Sequence, residues 1–245
     1  MSSPGNKLRP AFLALLILLP VAGFFLYRYV SQSGWNTPLS RFTRLRQWFD
    51  DPVGHADWAI DAGERCEGAA FLFPTSGYIG FIWGDSFRPG RRHQGLDIFG
   101  GGEVGVAPVV AAYPGYLHRL PDWKSSVIMR IPQDPLQPGR QIWLYYTHMA
   151  DANGASYILP AFPPGVAEVF VEAGALLGYQ GNYSGEPNNP TGVHLHFSIV
   201  QDDGRGGFRN ELEIDNTLDP SPYFLLPLNA ETNQDTIPVC RVCRF

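Results

Sequence analysis

Residues 193–199, Val-His-Leu-His-Phe-Ser-Ile, alternate apolar and polar side chains without a break. That period of two marks a half-buried β-strand. Val193, Leu195, Phe197 and Ile199 then face a core, and His194 and His196 share the opposite face. Same-side positions on a strand lie about 6.5–7 Å apart, so two imidazoles there can converge on one point. A chain carrying this segment has to build a sheet with one apolar side and one side able to do chemistry.

Two more stretches supply groups of the same kind. His93 and Asp97 stand four residues apart in Arg-His-Gln-Gly-Leu-Asp-Ile. On a regular strand that spacing is roughly 13 Å, too long for a single metal, so His93 is expected on a bend and Asp97 on the strand that follows. Gly90 and Gly95 are expected to supply the bend, since glycine tolerates positive φ at little cost. His148 closes residues 142–149, Ile-Trp-Leu-Tyr-Tyr-Thr-His-Met, a run rich in aromatic and β-branched residues. Pro138-Gly139 and Asn153-Gly154 bound it, and it reads as a strand. A catalytic zinc site takes three protein ligands and keeps a fourth position for water. His93, Asp97, His148, His194 and His196 exceed that need, leaving acid/base groups beside the metal. Two histidines and one carboxylate also describe the facial triad of a non-haem iron oxygenase. That alternative leaves two histidines without a task. His55 and His118 fall in no metal-spaced cluster and read as structural.

The rest of the sequence predicts a mainly β fold of antiparallel sheets with a groove. The 27 glycines and 22 prolines among 245 residues form a larger share than the average of roughly 12%, as a loop-rich β protein requires. Residues 106–113 and Tyr116-Leu117-His118 flank Pro114-Gly115, which predicts a hairpin. Residues 127–131 are predicted to pair with the strand that leads to His148. Gly100 to Gly102 form a flexible loop with neither the fingerprint spacing nor the strand-to-helix context of a phosphate cradle.

Outside this unit, residues 10–27 are uncharged and predominantly apolar, preceded by Lys7 and Arg9. The length is at the lower end of the roughly 17–25 residues of a spanning helix. Phe24-Phe25-Leu26-Tyr27 prolong the apolar run past the small residues Ala22 and Gly23, a poor cleavage site. The expectation is therefore an uncleaved anchor over 10–30, against the competing reading of a signal peptide cleaved near Gly23, with a cytoplasmic tail over 1–9, a juxtamembrane spacer over 31–67, a catalytic domain over 68–226 and a C-terminal tail over 227–245. Arginines also follow the segment, so the orientation rests on the functional reading below and not on charge. Within the spacer, Phe42, Leu45, Trp48 and Phe49 recur at helical spacing beside three arginines, as in a short amphipathic helix lying on a membrane or packed on the domain. Cys66 and one of Cys240 and Cys243 are expected to form a single bridge in an oxidising exterior. The formal net charge of −5, without a basic run, argues against nucleic acid as a partner.

In their order along the chain, Phe-Pro-Thr-Ser-Gly-Tyr (73–78), His-Gln-Gly-Leu-Asp-Ile (93–98), Tyr-Thr-His-Met (146–149), Gly-Tyr-Gln-Gly-Asn (178–182) and Thr-Gly-Val-His-Leu-His-Phe (191–197) resemble the lysostaphin-type, LytM-like zinc endopeptidases. The resemblance runs from about Gly68 to Val200. It implies a duplicated-hybrid-motif-like antiparallel β-sheet groove behind the N-terminal membrane helix. It also implies one zinc per chain on His93, Asp97 and His196, with His148 and His194 acting on the water, the oxyanion or the leaving group. The implied activity is hydrolysis of peptide bonds in bacterial peptidoglycan by a single-pass membrane protein with its catalytic domain on the extracytoplasmic side. The alternative within the same resemblance is a metal-bound, non-lytic module that regulates another wall hydrolase as its protein partner. Three departures accompany it: a long connection over residues 150–172, an apparent insertion at 186–190, and Ser198 where an acidic residue often follows the second histidine.

Overall fold

The computed structural model describes residues 39–86, 90–233 and 235–240. The expected tail and anchor over residues 1–30, the first part of the spacer, and Cys243 lie outside them. Among the described residues, no helix is long and apolar enough to cross a membrane.

The strands are β1 (Ala59–Ile60), β2 (Gly77–Phe81), β3 (Leu96–Phe99), β4 (Pro108–Val110), β5 (Gly115–His118), β6 (Val127–Ile131), β7 (Ile142–Thr147), β8 (Val169–Val171), β9 (Leu176–Tyr179), β10 (Leu195–Gln201) and β11 (Thr217–Leu218). The main sheet runs β1-β2-β3-β10-β7-β6-β5-β8, with β11 also against β10, and β4 pairs β9 in a second sheet. Every strand pair in both sheets is antiparallel, as the composition and turn signals predict.

The alternation reads through from Leu195 onward, while Val193, expected in the core, precedes the strand and is only partly buried. Leu195, Phe197 and Ile199 of β10, Ile142, Leu144 and Tyr146 of β7, and Val127, Met129 and Ile131 of β6 enter one core between the sheets. On the other face Ile128, Trp143, Tyr145 and Val200 form a smaller cluster covered by Trp123 and Phe208. Burying a side chain of this size contributes about 1.5–3 kcal/mol, and a one-residue slip would turn β10 inside out. Its register is therefore firmly set, which matters because the candidate site hangs on it.

One expected pairing fails. β4 does not pair β5 across Pro114-Gly115; β4 joins β9 in the second sheet, while β5 lies between β6 and β8. The proline-glycine step carries the chain from one sheet to the other. A short loop signal identifies a change of direction but not the partner of the strand it leads into.

The helix expected in the spacer is α1 (Leu39–Asp50), and of the two places open to it, the structure has it on the domain. Trp48 is buried, stacks at a tilt on Tyr78 and donates its indole N–H to the Phe99 carbonyl at 2.9 Å. Phe42 meets Phe81 edge-on. β1 and the buried Ile60 and Cys66 likewise belong to the sheet and core, so the packed unit extends N-terminally past residue 68. At the other end, α2 (Ser221–Phe224) sends Tyr223 and Phe224 into the same core. Leu228 follows them, and Cys66 is disulfide-bonded to Cys240, so the packed unit also passes residue 226.

Candidate metal centre

The pairing of β3, β10 and β7 places His196 directly opposite Asp97 on one side and Thr147 on the other. Directly opposed residues share a face, with Cβ atoms about 4.5–5.5 Å apart. Asp97, His196 and Thr147 thus form a row across the sheet on the face that β10 turns away from the core. His93 reaches the row from the loop before β3, as the spacing requires. The role of Gly95 differs from the expectation: its φ is not positive, unlike that of Gly90. A Cβ at Gly95 would lie 2.2 Å from the Phe197 carbonyl oxygen. The residue is needed for close approach to β10, which brings His93 over Asp97.

The result is a tight group of donors. Asp97 Oδ1 lies 3.0 Å from His93 Nε2 and 2.8 Å from His196 Nδ1, and the two ring nitrogens are 3.1 Å apart. These three atoms are the set that could hold a metal ion among the described residues. His93 donates its Nδ1–H to the Ile82 carbonyl at 3.0 Å, which leaves Nε2 as the inward-facing atom. Burial pushes the His93 imidazole down, but Asp97 beside it outweighs this and its pKa ends raised. Burial would lift the Asp97 carboxyl, yet His93, His194 and His196 around it hold it well below the usual carboxylate range. Asp97 thus favours a proton on His93, so protons and a metal compete for the same donors. Metal binding at such donors is coupled to release of any proton they carry.

His148 and His194 complete the cluster without joining the three. His148 follows β7 with φ of 70°, a left-handed conformation uncommon for a non-glycine residue. Its Nδ1–H is donated to the Tyr183 carbonyl at 2.6 Å. His194 sits one residue before β10, bridged to Gly181, and donates Nδ1–H to the Gly192 carbonyl at 2.7 Å. Gly181 has to be glycine, because a Cβ there would lie 2.0 Å from the Ala150 carbonyl oxygen and 2.6 Å from that of His148. The two rings are 4.5 Å apart, and His194 stacks on Phe99. His194 Nε2 is 3.6 Å from Asp97 Oδ1, beyond hydrogen-bond distance. Burial pushes His194 down to about 4 against the pull of Asp97, and burial also lowers His148. Both are neutral at pH ~7, with the Nε2 lone pair open for accepting a proton.

A groove of about 400 Å³ opens beside His148 and His196, lined also by Ser126, Tyr145, Thr147 and Glu211. A second hollow of about 750 Å³ adjoins His93, and Gln94 and Leu212 border both. The two hollows thus adjoin the donor residues, one at His93 and the other at His148 and His196. Ser184 and Gly185, just before residues 186–190, line the groove. Ser198 lies buried against Gly95, two residues along β10 from His196 and so on the same face of the sheet.

All five residues singled out in the sequence meet here. Sequence reasoning missed their supports, the carbonyls of Ile82, Tyr183 and Gly192, for which side-chain identity gives no signal. It also missed Glu211, whose carboxyl is pushed up by burial at the groove wall. His55 stacks on Trp58 and His118 pairs with Glu168, both apart from the cluster.

No protein-family model matches the chain, and no curated protein matches it. Among solved structures it is similar to lytM from Ruminococcus gnavus, with 24% identity and a TM-score of 0.34 over 53% of this chain and 44% of that one. It is also similar to Csd3 from Helicobacter pylori, with 18% identity and a TM-score of 0.38 over 66% of this chain and 35% of that one. A third is a mutant of the catalytic domain of the prophage-encoded M23 protein EnpA from Enterococcus faecalis, with 20% identity and a TM-score of 0.34 over 61% of this chain and 95% of that one. The match spans less than half the length of the first two.

Proposed function

We propose that this chain is a zinc metalloendopeptidase that hydrolyses peptide bonds in bacterial peptidoglycan. The observation that carries the reading is the convergence of His93 Nε2, Asp97 Oδ1 and His196 Nδ1 beside two neutral histidines. Two imidazoles and one carboxylate fit zinc, and three ligands leave a position open. Zinc held there supplies Lewis acidity and a bound water with a pKa near 7.

The chain's own residues do the rest. His93 and His196 present nitrogen lone pairs, Asp97 offsets part of the positive charge, and the Ile82 carbonyl fixes the tautomer of His93. The carbonyls of Tyr183 and Gly192 do the same for His148, which lines the groove, and His194, whose Nε2 faces Asp97, so each keeps an unprotonated Nε2. Each is placed to take a proton from the attacking water and return it to the departing amine. The facial-triad iron alternative gives these two histidines no task. The non-lytic alternative is disfavoured by the presence of the complete set.

The substrate class follows from the motif resemblance, and the hollows beside His93 and beside His148 and His196 give a peptide room at the donors. Incubating the full chain with purified peptidoglycan should release fragments whose masses show new amino and carboxyl termini, and a chelator should stop the release. Fragments cut only in the glycan, or release unaffected by chelator, would defeat the proposal.

The same reading places the domain on the outer side of the membrane, tethered through residues 10–30. The Cys66–Cys240 bridge supports it, since disulfides persist in oxidising compartments. Protease added to spheroplasts should digest the domain; full protection would contradict the placement.

A further inference from the structure

We propose that Arg41 and Asp85 are positioning residues for His93, which makes α1 a working part of the metal site. The inference rests on the zinc reading above.

His93 is held by the turn at residues 82–85. Its ring donates to the Ile82 carbonyl at 3.0 Å. Its backbone N–H donates to the Asp85 carbonyl at 2.6 Å, and its carbonyl accepts from the Gly84 N–H at 2.8 Å. The turn in turn closes on Asp85, whose carboxylate Oδ2 accepts the Ile82 N–H at 2.8 Å. Arg41 Nη1, from α1, donates to that same oxygen at 3.0 Å. The two side chains are only 5% and 0% exposed.

Removing Arg41 takes a charge-assisted hydrogen bond from the oxygen that also accepts the Ile82 N–H, and neutralising Asp85 takes the carboxylate from the buried Arg41, so the turn moves to relieve the change. The element bonded to the Asp85 carboxylate is the turn that carries the Ile82 carbonyl. While that carbonyl takes the Nδ1–H of His93, the ring keeps its Nε2 lone pair aimed at Asp97 and His196. When the turn shifts, both orientation and tautomer are released. Groups that orient a ligand in this way typically govern 10–100-fold in metal affinity.

A merely structural role for α1 makes a different forecast. Arg44, on the same helix, pairs with Asp235 and bonds to Tyr78 rather than to the Asp85 carboxylate. Its loss loosens the docking of the helix but leaves His93 alone.

The test measures the zinc dissociation constant of the full chain by competition with a chromophoric chelator, together with ¹⁵N shifts of the His93 ring. Arg41→Gln and Asp85→Asn should each weaken zinc by about 10–100-fold and populate the second tautomer of His93. Arg41→Lys, which keeps the charge, should recover most of the affinity. Arg44→Gln should lower the melting temperature yet stay within about twofold of the parent for zinc. If Arg41→Gln does not fold, Asp85→Asn, which keeps its size and an acceptor for Ile82, decides the matter. Affinities within about twofold of the parent for Arg41→Gln and Asp85→Asn, or an equal loss in Arg44→Gln, would overturn the proposal. A parent that binds zinc and cleaves peptide while these variants behave like it ends this inference alone. A parent that binds no zinc ends the reading of the site as well.

Discussion

Alanine at His93, Asp97 or His196 is expected to remove zinc and peptide cleavage together. Each residue supplies one of three atoms packed within hydrogen-bonding distance of one another, and two remaining donors do not make a zinc site. The loss of affinity should exceed the roughly 10–100-fold that changes outside the ligand set produce. Asp97→Ala should be the most severe. Its Oδ1 holds both imidazoles in place, and its charge is what raises the pKa of His93. Elemental analysis of each folded variant against the parent checks this, and near-stoichiometric zinc in any of the three would remove that residue from the ligand set.

His148→Ala and His194→Ala should behave in the opposite way, retaining zinc and the fold while losing at least about two orders of magnitude in turnover. Neither ring belongs to the converging trio, and each is anchored by its own backbone carbonyl. General acid/base help is typically worth about 10²–10⁴-fold, and an oxyanion donor about 10²–10³-fold. Because both rings are held neutral, the resting role of each is acceptance of a proton. Alanine at position 148 inherits the left-handed backbone, so circular dichroism has to accompany the kinetics. A zinc-free variant, or one with nearly parental turnover, would contradict this division of labour.

The strand that carries the dyad was legible because period-two alternation fixes which side chains share a face. With that register, the opposition of Asp97 and His196 follows from sheet pairing. The bend before Asp97 was legible too, but its cause was not. Gly95 is required by the backbone of β10, which is about 100 residues away in sequence and nowhere visible from φ preferences. Pro114-Gly115 misled for a related reason, since local turn chemistry is silent on whether the next strand joins the same sheet. The arginines beside the apolar stripe of α1 left two environments open. Only packing shows that Arg41 turns inward to Asp85 while Trp48 reaches Phe99. The carbonyls that set the tautomers of His93, His148 and His194 belong to residues of any type, so no motif records them.

Anomalous scattering measured at the zinc edge from crystals of the zinc-loaded full chain tests the central claim most directly. The account predicts one peak, bonded to His93 Nε2, Asp97 Oδ1 and His196 Nδ1, with His148 and His194 facing it unbonded. A peak ligated by His148 or His194, or no peak at this cluster, would contradict it.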